Sequence, residues 1–134
     1  MSTFSIFHVS GSAISAQAQR LNVVASNLAN ADAVATPNGQ AYKARLVTFE
    51  TVPMGDEGSA GVRIESIKES NDPIRRVHNP NHPSADAEGY VNHSNVNPVE
   101  EMVNMISASR SYQNNVEVMN TAKSLLLKTL QMGQ

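Results

Sequence analysis

A chain of 134 residues with 40% apolar but only 4% aromatic content, and no tryptophan, suits one ordinary domain with few large rings to fill a thick core. A net charge of −2 leaves no basic footprint for nucleic acid or for an anionic membrane surface. The absence of cysteine excludes disulfides, thiolate metal sites and thiol nucleophiles.

The opening MSTFSIFHVSGSAISAQ contains no Lys or Arg and no continuous apolar run, so it does not read as a cleavable secretory signal. No stretch is long and apolar enough to span a bilayer. If the protein leaves the cytoplasm, it is expected to use a route that reads something other than such a signal, and no membrane insertion is expected.

From Ser5 to about Ala35 the chain has no proline, one glycine (Gly11) and only Arg20 and Asp32 as charges. Phe7, Ile14, Leu21 and Leu28 recur every seven residues and predict one stripe along a helix. Gly11, Ala18 and Ala25 lie four residues after the first three, and small side chains there allow another backbone to approach. The other faces carry Ser, Gln and Asn where a solvated helix would carry charge, so they suit contact with protein. Asn27 and Asn30 share a face; the cluster reads either as a fraying helix end or, the favoured reading, as amides buried across a subunit contact, where each would need a partner.

The middle of the chain is different. All six prolines lie between Thr36 and Val99, and Pro37-Asn38-Gly39 is a turn signal. Residues 41–52, 62–67, 74–78 and 89–93 predict short strands from their β-branched and aromatic content, with MGDEGSAG (54–61) as a flexible hairpin loop. This β-rich insertion is too short to bury much core alone.

A long helix returns at Pro98. Pro98 suits the first turn, Asn97 suits the N-cap, and Glu100 and Glu101 complement the positive end of the helix dipole. Met105, Tyr112, Met119 and Leu126 repeat every seven residues. Ser109, Val116, Lys123 and Leu130 complete a 4-3-4-3 seam with two polar interruptions. The expected fold class is therefore α+β, with long N- and C-terminal helices paired as a coiled coil and a small β-rich middle insertion. The expected parts are 1–36, 37–97 and 98–134, the first and last together forming one helical core. A helix pair with polar outer faces gains little from burial, so the termini are expected to be largely disordered in the monomer and to order on assembly. Weak amide protection over residues 10–30 follows.

Few residues suggest chemistry. His78 and His82 are four apart, but Pro80 and Pro83 interrupt any helix that would align them as metal ligands, and a solvated loop is the better reading. Asp86 and Glu88 could pair for acid–base work, but acidic residues before Gly-Tyr more often form turns. No nucleophile elbow and no phosphate-binding loop is present. A small metal-dependent hydrolase built on His78, His82 and Asp86 is the rival to a structural role. Within structural roles the alternative is a needle or translocator component.

The terminal segments resemble a known family. Ser10-Gly11-Ser12-Ala13, Gln19-Arg20-Leu21-Asn22-Val23 and Ala25-Ser26-Asn27-Leu28-Ala29-Asn30-Ala31 resemble the N-terminal signature of the flagellar axial proteins. Asn95-Val96-Asn97 through Val103, Ser107-Ala108-Ser109-Arg110-Ser111-Tyr112-Gln113 and Lys123 to Leu130 resemble the matching C-terminal signature. Ala85 to Val91 and the short length narrow the resemblance to proximal rod members. The resemblance implies a structural subunit with no enzymatic activity, no cofactor and no metal. It also implies export unfolded, without signal cleavage, through the flagellar type III apparatus, and polymerisation into the periplasmic rod. Paired terminal helices would then line the export channel, with the β-rich part outside. Partners would be further copies of the chain and other rod subunits, with the membrane ring and rod base as further candidate neighbours. The candidate assembly face is the α-helical set above: Phe7, Gly11, Ile14, Leu21, Asn27, Leu28 and Asn30, with Met105, Tyr112, Val116, Met119, Leu126 and Leu130.

Overall fold

The computed structural model describes residues 3–55 and 58–133. Two long helices, α1 (Thr3–Ala29) and α2 (Pro98–Met132), pack against each other, and four strands lie between them in sequence: β1 (Arg45–Pro53), β2 (Ala60–Glu69), β3 (Arg76–His78) and β4 (Tyr90–Asn92). The class is α+β, as the patterning predicts. Strands β1 and β2 form one two-stranded sheet, and β3 and β4 pair antiparallel in another, with Val77 opposite Val91. The β1–β2 loop is too short for a crossover and so makes a hairpin, closed where the Met54 N–H donates to the Ser59 carbonyl at 2.9 Å. Asp56 and Glu57, at the tip of the predicted loop, lie outside the described residues.

The chain divides into two compact units, and both helices and the β1–β2 hairpin contribute to each. The first comprises residues 1–21, 48–66 and 106–134. In it the hairpin lies along α1: Ser12 and Ala16 line one cavity of about 230 Å³ with Val52, Met54, Val62 and Ile64. The Ser12 hydroxyl accepts a hydrogen bond from the Val62 N–H at 3.1 Å and donates to the Val9 carbonyl at 2.7 Å. Ile6 meets Val118, Thr121, Ala122 and Leu125 of α2 across a second cavity of about 290 Å³. The fully buried helical positions in this unit are small: Ser10, Ala16, Ala108 and Ala122. Small side chains permit close helix approach, and none contributes much apolar area.

The second unit comprises residues 22–47 and 67–105. Its core is Ala31, Ala44 and Val96, with Tyr42 packed against it. The Asn97 cap forms as the sequence predicts, its Oδ1 accepting from the Val99 and Glu100 N–H groups at 3.2 and 3.4 Å. Helix α1 ends at Ala29 rather than near Ala35. The Asn30 side-chain amide bonds back to the Ser26 carbonyl at 2.9 Å, competing with the backbone ladder where the helix stops. The chain then turns, so that Val34 bridges His93 and the Ala35 N–H donates to the Asn92 carbonyl. Asn95 ties three segments together, accepting from the Ala44 N–H at 2.6 Å and donating to the carbonyls of Ser70 and Asp72.

Gly89, just before β4, has φ +85°, and a Cβ there would lie 3.1 Å from Pro80 Cγ and 3.2 Å from His78 Nε2. Both the left-handed backbone and the close neighbours oppose any side chain. Gly89→Ala is expected to cost about 1–3 kcal/mol, read as a lowered midpoint in urea unfolding with unchanged m.

Candidate assembly surface and the polar network beneath it

The residues that the sequence singles out fall into two groups. The first is Asn27, 1% exposed near the end of α1. Its Oδ1 accepts from the Arg45 N–H at 3.0 Å and the Tyr42 hydroxyl at 2.8 Å. Its Nδ2 donates to the Arg45 carbonyl at 3.0 Å and to Glu101 Oε2 at 3.1 Å. A carboxamide has two donors and two acceptor sites, and all four are used here. A single amide thus joins the end of α1, the strand entering β1 and the first turns of α2. The cross-subunit contact expected for the Asn27 amide is corrected: its partners lie inside the chain, and a residue so buried cannot reach a neighbour as placed. Asn30 is half-buried, with its amide on Ser26.

Glu101 is only 6% exposed, a buried carboxylate in the first turn of α2. It lies in the turn whose N–H groups have no partner within the helix, and the Asn27 amide donates to its Oε2. The sequence assigns Glu101 to the helix dipole and misses its burial.

The second group is apolar. Phe7, Gly11, Ile14, Leu21 and Leu28 on α1 are half-buried, as are Met105, Tyr112, Val116, Met119 and Leu126 on α2, whereas Leu130 is 59% exposed. The buried row of α2 is Glu101, Ala108 and Ala122, with Asn115 half-buried between them. The most buried row, 101–108–115–122, runs beside the half-buried Met105–Tyr112–Met119–Leu126 row; of the companions the sequence predicts, Ser109 and Val116 are half-buried, and Lys123 and Leu130 are exposed. Ala108 and Ala122 admit the close approach that Lys123 and Leu130 would obstruct. On α1 the buried residues Ser10, Ala16, Val24 and Asn27 centre about a quarter turn from the Phe7–Leu28 stripe, which leaves that stripe on the shoulder of the packed face. Val99, Met102 and Val103, one turn apart at the start of α2, are more than half exposed. Contiguous exposed apolar side chains of this kind mark surfaces that meet other protein.

The His78–Asp86 region is built for another purpose. Asp86 Oδ1 accepts from the N–H groups of Glu88 and Tyr90, both at 2.9 Å, and Oδ2 pairs with Arg76 at 3.2 Å. The Arg76 guanidinium sits 4.7 Å over the Tyr90 ring. His78 meets that ring edge-on at 5.0 Å, and His82 Nδ1 accepts from the Ser84 N–H at 3.0 Å. Among the described residues no three His, Asp or Glu side chains are placed to hold a metal ion. The residues of the rival hydrolase reading are thus committed to a turn and an ion pair. The Tyr90 N–H above all, then the Glu88 N–H and Arg76, hold the Asp86 carboxyl below its ordinary range, outweighing the desolvation that opposes them. A depressed folded pKa means that this contribution is present above the unfolded carboxylate range, about 4, and is lost as pH falls through the lower folded value. An acid titration of the β3–β4 amide resonances is expected to show the turn loosening below about pH 4, with Asp86→Asn removing that step.

The comparisons place this arrangement. Residues 7–35 match the family model described as the flagella basal body rod protein, and residues 87–132 match the C-terminal model of the flagellar basal body rod FlgEFG proteins. The flagellar basal-body rod protein FlgC of Yersinia enterocolitica is 55% identical over 134 residues, covering all of both chains. The chain belongs to the FlgC family of flagellar basal-body rod proteins. The FlgC proteins of Salmonella typhimurium and of Buchnera aphidicola from Schizaphis graminum are 52% and 45% identical, again with full coverage of both chains. Both family-model matches fall on the two helices and their flanks, where the buried small-residue rows and the half-exposed apolar stripes lie. FlgC-family membership makes the chain a structural protein of the flagellar basal body rather than an enzyme. Among the described residues no helix is long and apolar enough to cross a membrane.

Proposed function

We propose that this chain is a subunit of the proximal rod, polymerising through the apolar stripes of α1 and α2 to form part of the drive shaft for motility. The observation that supports this most is the division of labour along the helices. Small residues such as Ala16, Ala108 and Ala122 fill the intrachain contact, while Phe7, Ile14, Leu21, Tyr112, Met119 and Leu126 keep part of their surface open. A subunit that finished its folding alone would bury its largest apolar side chains first. The occupants of these stripes are further copies of the chain and the other rod subunits, with the membrane ring and the base of the rod as neighbours at its ends. The location is the periplasmic part of the basal body, reached through the flagellar type III apparatus without cleavage of a signal peptide.

Composition of purified basal bodies tests this reading. The chain is expected at a fixed ratio to the other rod subunits, in particles stripped of hook and filament. Its absence from such particles, or its recovery with an injection needle or translocator complex instead, would overturn the assignment.

A further inference from the structure

We infer that the Asn27 amide is a register lock that folds the second unit in the free subunit, before any neighbour is met. The argument concerns the isolated chain and does not rest on the rod assignment. Asn27 reads both backbone groups of Arg45, taking its N–H and giving to its carbonyl as a paired strand would. It does so while holding Glu101, which is 74 residues away in sequence, and while receiving the Tyr42 hydroxyl. Shifting any of these segments by one residue would replace the Arg45 pair with groups of the wrong polarity or direction. It would also leave a buried carboxylate without its amide partner, which a folded protein tolerates poorly. Only a carboxamide of this length offers two donors and two acceptors in one plane. Aspartate would present lone pairs to both the Arg45 carbonyl and Glu101, and an alkyl side chain would satisfy none of the four. The buried core of this unit, Ala31, Ala44 and Val96, consists of small or medium side chains, and the one large ring against it, Tyr42, is itself held by the network through its hydroxyl. Uniqueness is therefore carried by the polar groups, a role known for single buried amides in helical assemblies. This revises the expected disorder of residues 10–30: residues from Asn22 onward belong to the locked unit and are expected to be protected in the free subunit.

Amide exchange of the full-length chain, measured by NMR in dilute monomer, tests the lock. The Arg45 amide is expected to exchange at least about a hundredfold more slowly than in an unfolded chain, and Asn27→Ala is expected to remove about tenfold or more of that protection. Tyr42→Phe takes away a single hydroxyl and keeps the ring, so it provides a reading even if the alanine variant does not fold. It is expected to speed Arg45 exchange by a few-fold. The paired variant Asn27→Leu/Glu101→Met removes the polar groups together. It is expected to keep its helix content but to give more than one set of resonances for residues 42–47. The lock is refuted by an unprotected Arg45 amide in the wild-type chain or by unchanged Arg45 exchange in Tyr42→Phe. It is equally refuted by a single, wild-type-like set of resonances in the leucine–methionine variant.

Discussion

Ala108→Glu is expected to destroy the folded first unit of the subunit. Ala108 has no exposed surface, and it lies in the row of α2 that includes Glu101 and Ala122. A glutamate there must either bury an unpaired charge or force the packed helices apart. Removing the partner of a buried charge costs about 3–5 kcal/mol, and introducing a charge with no partner belongs to the same class. That loss is a large share of the roughly 5–15 kcal/mol that holds a domain together, and a domain at the low end of that range would not survive it. Thermal unfolding followed by circular dichroism is expected to show a lost or strongly shifted transition. Ala108→Ser adds only a small hydroxyl that can bond back to a carbonyl one turn earlier, and it is expected to stay within about 1–2 kcal/mol of wild type. Equal effects of the two substitutions would mean that this row is not the packed one.

Leu126→Asp and Leu21→Asp are expected to have the opposite signature, with assembly lost and the subunit intact. Both leucines are half-buried, so the isolated chain loses only part of one apolar contact, on the order of 1 kcal/mol. Once a neighbour covers the stripe, the same carboxylate is buried without a partner in every copy, at several kcal/mol per subunit. Complementation with either variant is expected to give non-motile cells that hold normal amounts of the soluble chain. Wild-type motility from either variant would remove the stripes from the assembly surface. The pairing of these results with those for Ala108 separates residues that build the subunit from residues that join subunits.

Most of the architecture was legible because its punctuation is chemical. Proline confined to residues 37–98 separates helix from insertion, and β-branched runs place all four strands within a few residues of their observed bounds. Asn97 before Pro98 states where α2 begins, and its side chain caps the helix as expected. What heptad counting could not resolve was which neighbouring row is packed. It follows the largest apolar residues, and here those line the shoulder while alanines fill the contact. A glutamate is never scored as core, so the 101–108–115–122 row was invisible at its first member. The Asn27 network was half-legible: the cluster of amides stood out, but its partners Tyr42, Arg45 and Glu101 are brought together only by the turn after α1 and the return of α2. The sequence showed amides in need of partners and could not show that one chain supplies them.

Electron microscopy of envelope preparations from a strain lacking this chain tests the central claim most directly. A rod subunit predicts membrane rings without a completed rod, hook or filament, restored when the chain is supplied from a plasmid. Intact basal bodies with hooks in that strain would contradict it.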